Sequence, residues 1–163
     1  MGKPSALVIV VSDAVHQGRR EDETGKAYVD GLRKRGWKAE GPLVLPNDME
    51  KLTRALLDAT CQPQLVVVAG GTGPSPRDVS VDVVRSLSWR SFPGFGEEFR
   101  RRSSEEVGAR GLGSRAGLFQ VGKAVVAVLP GSRGAVELAV ELLDAMVPHI
   151  LEEFLRPAGQ SHA

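Results

Sequence analysis

Three stretches of this chain are apolar at every position rather than at every second one: Ala6–Val11, Leu65–Ala69 and Ala124–Leu129. Such short unbroken runs suit strands buried on both faces, as in a parallel sheet covered by helices. A weaker strand reads over Lys38–Leu45 and ends at Pro46. Between the strands, apolar residues recur at helical spacing. Thr24 predicts the cap of a helix that turns Tyr28, Val29 and Leu32 inward and stops at Gly36. Asn47 predicts the cap of a second, with Glu50 at its third position and Met49, Leu52 and Leu56 as its stripe. Ser80 predicts the cap of a third, with Val81, Val84 and Leu87 inward. Phe95–Val107 reads as a helix with a break near Ser103. The clearest stripe runs Val136, Ala139, Val140, Leu143, Val147, Ile150, Leu151, Phe154, and Pro148 should kink or split that helix. Gly122-Lys123 can turn a short strand around Leu118–Val121 back into Ala124–Leu129.

This alternation predicts an α/β fold: a three-layer sandwich with a mostly parallel central sheet, a short antiparallel hairpin, and helices on both faces. One domain is expected over residues 1–163, with its core at about 6–156. Parallel strands end on one edge, where ligands bind. The three best strands run into Ser12-Asp13, into "GGTGPSPRD" and into Pro130-Gly131-Ser132. All three ends are small, polar or glycine-rich, so a site is expected where they converge.

Lys plus Arg number 21 against 20 Asp plus Glu, a net charge of +1. That balance lacks the basic excess of a nucleic-acid-binding surface, and no such partner is expected. No apolar run reaches the ~20 residues that span a bilayer, and Ala6–Val11 lacks the cleavage region of a signal peptide. Cys61 is the lone cysteine, so no internal disulfide forms and a cytoplasmic location is expected. It sits near the end of a helical pattern and reads as structural. His16, His149 and His162 are scattered, which gives neither a metal cluster nor a Ser-His-Asp set.

Glycine lets a backbone adopt positive φ and approach a ligand closely. Gly70, Gly71, Thr72 and Gly73, just before a helix, therefore read as an anion cradle of free N–H groups. No Gly-Lys-Ser/Thr follows, so it is not a P-loop, and a dinucleotide fingerprint fails at Pro76. The candidate acids are Asp13, Asp22, Asp48 and Asp78. Asp48 and Asp78 also suit the first turns of helices, where a carboxylate stabilises the dipole. Asp78 directly follows the glycine loop. A carboxylate beside a phosphate calls for a cation between them, and Mg²⁺ is the usual one.

"VSDAVHQGRREDETG", "GGTGPSPRDVS", "FPGFGEEFR", "GSRAG" and "LPGSRGAVELAVELL" resemble, in that order, the motifs of the MoaB/Mog family of molybdenum cofactor biosynthesis proteins, which is similar also to the gephyrin G domain. The resemblance runs from about Leu7 to Phe154. It implies a homotrimer that binds molybdopterin, a pterin with a dithiolene and a terminal phosphate. It further implies transfer of AMP from Mg-ATP to that phosphate with release of pyrophosphate. The substrate-binding residues it implies are Ser12, Asp13, Gly70, Gly71, Thr72, Gly73, Gly94, Ser114, Arg115, Pro130, Gly131 and Ser132. Of the family's two essential aspartates, the "RD" one falls on Asp78. The other follows the proline after the second strand, where this chain reads Pro46-Asn47-Asp48. Asn47 carries no charge, and Asp48 is the candidate to replace it as catalytic and Mg²⁺-binding partner of Asp78.

The chemistry fits the absence of a triad, since the attacking group is already an anionic phosphate. Two other readings compete. Asn47 would suit a non-catalytic pterin-binding paralogue, acting as carrier or scaffold. A pure interaction domain would bind no pterin. Phe92, Phe95 and Phe99 sit in an otherwise charged segment and read as candidates for the trimer interface.

Overall fold

The computed structural model describes residues 3–159. In chain order they form β1 (Ser5–Val11), α1 (Asp13–His16), α2 (Glu23–Lys34), β2 (Lys38–Leu45), α3 (Met49–Ala59), β3 (Leu65–Ala69), α4 (Ser80–Leu87), β4 (Arg90–Ser91), α5 (Pro93–Val107), β5 (Gly117–Val121), β6 (Ala124–Leu129) and α6 (Val136–Phe154). The sheet order is β2-β1-β3-β6-β5-β4. The first four of these are mutually parallel, and β5 lies antiparallel to both β6 and β4. The hairpin turns at Gly122-Lys123 as expected.

The unbroken apolar runs are explained by burial on both faces. In β3, Leu65, Val67 and Ala69 enter the core under α2, α5 and α6, while Val66 and Val68 enter the core under α3 and α4. In β6, Val125, Ala127 and Leu129 face the first core, and Ala124, Val126 and Val128 the second. A polar residue at either parity would meet packed apolar side chains. Each buried valine or leucine contributes roughly 1.5–3 kcal/mol relative to exposure.

Several local expectations are corrected. Asp22, not Thr24, caps α2 by accepting from Gly25 N–H at 2.8 Å. Thr24 instead donates its hydroxyl to the Gly131 carbonyl at 2.9 Å, tying α2 to the loop after β6. Asp48, not Asn47, caps α3 by accepting from Lys51 N–H at 2.9 Å. Ser80 does not cap α4 but is its first residue, and its buried hydroxyl has no hydrogen-bond partner. Pro93 occupies the first position of α5, where its missing N–H costs nothing, and no break occurs near Ser103. Pro148 does not split α6, because Leu143, Val147 and Leu151 on either side of it hold the helix against the sheet. Phe95 and Phe99 are fully buried in the core, with ring centroids 6.3 Å apart. They therefore lend no support to an interface. Cys61 is exposed, and its thiol donates to Leu57 O at 3.1 Å. His149 is exposed on α6, and His162 lies outside the described residues. No helix among the described residues is long and apolar enough to cross a membrane.

Candidate active site

Strand register builds the site. Val11 pairs with Leu45, Val10 with Ala69, and Ala69 with Leu129, so the four parallel strands end side by side. The segments that follow emerge together on one edge: Ser12-Asp13, Asn47, the glycine loop and Gly131-Ser132. They line a cleft of about 920 Å³ with Asp22, Thr24 and Asp78, and with Arg19, Arg20 and Arg133 at its sides.

The glycine loop leaves β3 in a conformation that other residues rarely adopt. Gly70 has φ +109° and Gly71 φ +76°. A Cβ on Gly70 would run into the carbonyl oxygen of Val11, and one on Gly71 into the hydroxyl of Ser80. Gly70 N–H donates to Leu129 O at 2.8 Å, which pins the start of the loop to the end of β6. The loop then closes on itself. Asp78 N–H donates to Ser75 O at 2.9 Å, and the Asp78 carboxylate accepts from Ser75 N–H at 3.0 Å.

Asp13 opens α1, behind Ser12, whose hydroxyl accepts from Val15 N–H at 3.3 Å. The Asp13 carboxylate takes a hydrogen bond from the Arg77 guanidinium and two from Asn47, through the main-chain N–H at 2.9 Å and the side-chain amide at 3.2 Å. The Arg77 hydrogen bond, followed by the Asn47 main-chain N–H, pulls the Asp13 carboxyl down to about 2. Both groups come from loops distant in sequence: Asn47 stands where the resemblance implies an essential aspartate and here donates to Asp13, while Arg77 was not among the expected site residues. Arg77 stood in the same "PRD" as Asp78, which was its available signal.

The remaining expected site residues lie elsewhere. Pro130 adjoins the cleft without lining it. Asp48 is spent on capping α3 and does not line it. Gly94 is exposed near the start of α5. Ser114 and Arg115 line a separate hollow of about 320 Å³, with Phe92, Pro93 and Arg100.

Among the described residues, no group of three or more His, Cys, Asp or Glu is placed to hold a metal by itself. Mg²⁺ on a nucleotide needs less, because it keeps waters and takes one or two carboxylates plus phosphate oxygens. The oxygen donor of Asp78 beside a cradle that a Cβ would fill fits that requirement. The Asp13 carboxylate is already engaged by three donors.

The family described as "Probable molybdopterin binding domain" matches residues 7–150. The chain belongs to the MoaB/Mog family of molybdenum cofactor biosynthesis proteins. It is 36% identical over 150 residues to the molybdopterin adenylyltransferase of Pyrococcus furiosus, covering 89% of this chain and 88% of that one. It is 33% identical over 151 residues to molybdenum cofactor biosynthesis protein B of Bacillus subtilis, covering 90% and 87%. The solved structure of the tungsten cofactor synthesizing protein MoaB from Pyrococcus furiosus superposes with a TM-score of 0.82 at 32% identity, covering 95% of this chain and 98% of that one. The MoaB/Mog relationship thus spans the sheet, both helical layers and all the strand ends that form the cleft.

Proposed function

We propose that this protein is a molybdopterin adenylyltransferase. An oxygen of the terminal phosphate of molybdopterin attacks the α-phosphorus of ATP. A new P–O–P link forms, the bond between the α-phosphorus and the bridging oxygen to the β-phosphate breaks, and pyrophosphate leaves. No proton need be removed from the attacking group, so the protein's work is positioning and charge neutralisation. The observation that carries this reading is the convergence of Gly70–Gly73, Asp78 and Gly131-Ser132 in one cleft.

In this reading the loop N–H groups hold a phosphate, as free backbone donors before a helix do. Arg19, Arg20 and Arg133 offset the charge of the triphosphate from the sides. Asp78 would hold Mg²⁺, which supplies electrostatic stabilisation of the charge that develops on the phosphoryl oxygens. The Asp13–Arg77–Asn47 set ties the ends of β1 and β2 to the β3–α4 loop. Asp48 would enter the chemistry only by leaving its cap. The relative named molybdopterin adenylyltransferase supports the same assignment.

Incubating the protein with molybdopterin and Mg-ATP and measuring pyrophosphate tests it. Stoichiometric release with formation of adenylylated pterin is expected. Pterin binding without pyrophosphate would leave a carrier, and no pterin binding would leave an interaction domain. We further propose a homotrimer in a cytoplasmic setting. Light scattering that gives a monomer at micromolar concentration would refute the trimer.

A further inference from the structure

The loop between β3 and α4 must hold its N–H groups and the Asp78 carboxylate in place with little secondary structure of its own. One residue outside the loop grips it at both ends. Arg115 donates its main-chain N–H to Thr72 O at 3.0 Å and its guanidinium to Asp78 O at 2.7 Å. The same guanidinium forms two further bonds to Asp82 in the first turn of α4, at 2.9 and 3.1 Å. Arg115 is itself bracketed from α5: Arg100 donates to Ala116 O at 2.7 Å and, more weakly, to Ser114 O at 3.4 Å. A continuous set of bonds therefore runs from α5 through residues 114–116 to both ends of the loop and on to α4.

This arrangement engages both terminal guanidinium nitrogens of Arg115, Nη1 and Nη2, on the protein. Asp82 matches the charge, and its carboxyl is held below the usual range chiefly by the hydrogen bond from Arg115. Nε is buried without a partner, and Arg115 does not line the cleft. A planar fork reaching two acceptors at once is something arginine offers and lysine does not.

We propose that Arg115 is a positioning residue that sets the separation of Thr72 and Asp78 and acts on adenylyl transfer through Asp78, without touching substrate. Only its kinetic consequence rests on the adenylyltransferase reading.

Two variants test it, Arg115→Lys and Asp82→Asn; the second alters an exposed carboxylate and serves should the first fail to fold. In the ligand-free protein, the N–H groups of residues 72–78 should exchange with solvent on the order of 10-fold faster in both, while β3 and β6 keep parental exchange. In turnover, Arg115→Lys should lower kcat by roughly 10-fold with each KM changed less than about 2-fold. In an Asp78→Asn background the same change should cost nothing more, because the route through Asp78 is already cut. Unchanged loop exchange in both variants overturns the proposal. So does a raised KM with unaltered kcat that persists in the Asp78→Asn background, which would place Arg115 on substrate. If the parent protein makes no adenylylated pterin, the functional reading fails and the exchange measurement alone decides the clamp.

Discussion

Asp13 accepts a hydrogen bond from each nitrogen of Asn47, at 2.9 Å from the main-chain N–H and 3.2 Å from the side-chain amide. The pair joins the end of β1 to the end of β2, and both residues line the cleft. Asn47 is therefore more than an uncharged residue at a position where the resemblance implies a carboxylate. It is a donor matched to Asp13.

Asn47→Asp exchanges that donor for a second carboxylate facing the first. Two adjacent carboxylates disfavour one another unless a cation lies between them. The variant should melt below the parent in EDTA, and the gap should close as Mg²⁺ is added. Differential scanning fluorimetry across a Mg²⁺ series reads this directly. Equal melting of the two proteins in EDTA would contradict it. A large gain in adenylylation rate would mean that the natural chain is catalytically weakened.

The Arg77 guanidinium and Asn47 hold the Asp13 carboxyl at about 2. In the unfolded chain it titrates near ~3.9. A depressed carboxylate adds stability that is complete above the unfolded value and is lost as pH falls toward the folded one. Asp13→Asn should accordingly be less stable than the parent at about pH 6, with the gap shrinking between about pH 4 and about pH 2. Urea midpoints compared at the two extremes check this. A gap independent of pH would assign the loss to shape rather than charge.

The sheet was legible because its strands are buried on both faces, which writes them into the sequence as unbroken apolar runs. β3 and β6 fall at the bounds so read, and β1 begins only one residue earlier, at Ser5. Helix caps were legible only to within a residue or two. Thr24 and Asn47 are as suited to capping as their neighbours Asp22 and Asp48. What separates them is the Gly131 carbonyl and the Asp13 carboxylate, acceptors brought near by the fold and invisible locally. The same limit applied to Arg115. Its motif marked it as important, but its partners Thr72, Asp78 and Asp82 belong to a different part of the chain. Phe95 and Phe99 misled for the opposite reason, since charged neighbours on the outer face of α5 concealed that its other face is core.

Gly71 lies at φ +76° with no room for a Cβ beside Ser80. Gly71→Val should cost about 1–3 kcal/mol of stability from backbone strain, with the clash against Ser80 added. It should also abolish molybdopterin binding by moving the loop N–H groups. Chemical denaturation and pterin fluorescence titration measure the two effects separately. A folded variant that binds pterin with parental affinity would remove the loop from the anion site.

Asp78 and Asp48 have been placed in different situations by the fold. Asp78 lines the cleft, while Asp48 gives its carboxylate to Lys51 N–H at the start of α3. Asp78→Asn keeps the shape and the acceptor for Ser75 N–H but loses the charge that would hold Mg²⁺. Adenylyl transfer should fall on the order of 10²–10³-fold, the scale for removing one transition-state-stabilising group, while molybdopterin binding stays within a few-fold. Asp48→Asn retains a competent cap and loses only a favourable charge at a helix N-terminus, worth ~0.3–1 kcal/mol. Turnover by that variant should equal the parent's once both are fully folded. If Asp48→Asn instead stops turnover, its carboxylate leaves the cap during the reaction and takes the role that the resemblance assigns to the position of Asn47. If Asp78→Asn, folded and assembled like the parent, makes adenylylated pterin at the parental rate, the Mg²⁺ role falls and the glycines are left as the cradle alone. Measuring both variants against one Mg²⁺ series separates these cases, because only a metal-holding carboxylate shifts the Mg²⁺ concentration needed for half-maximal rate.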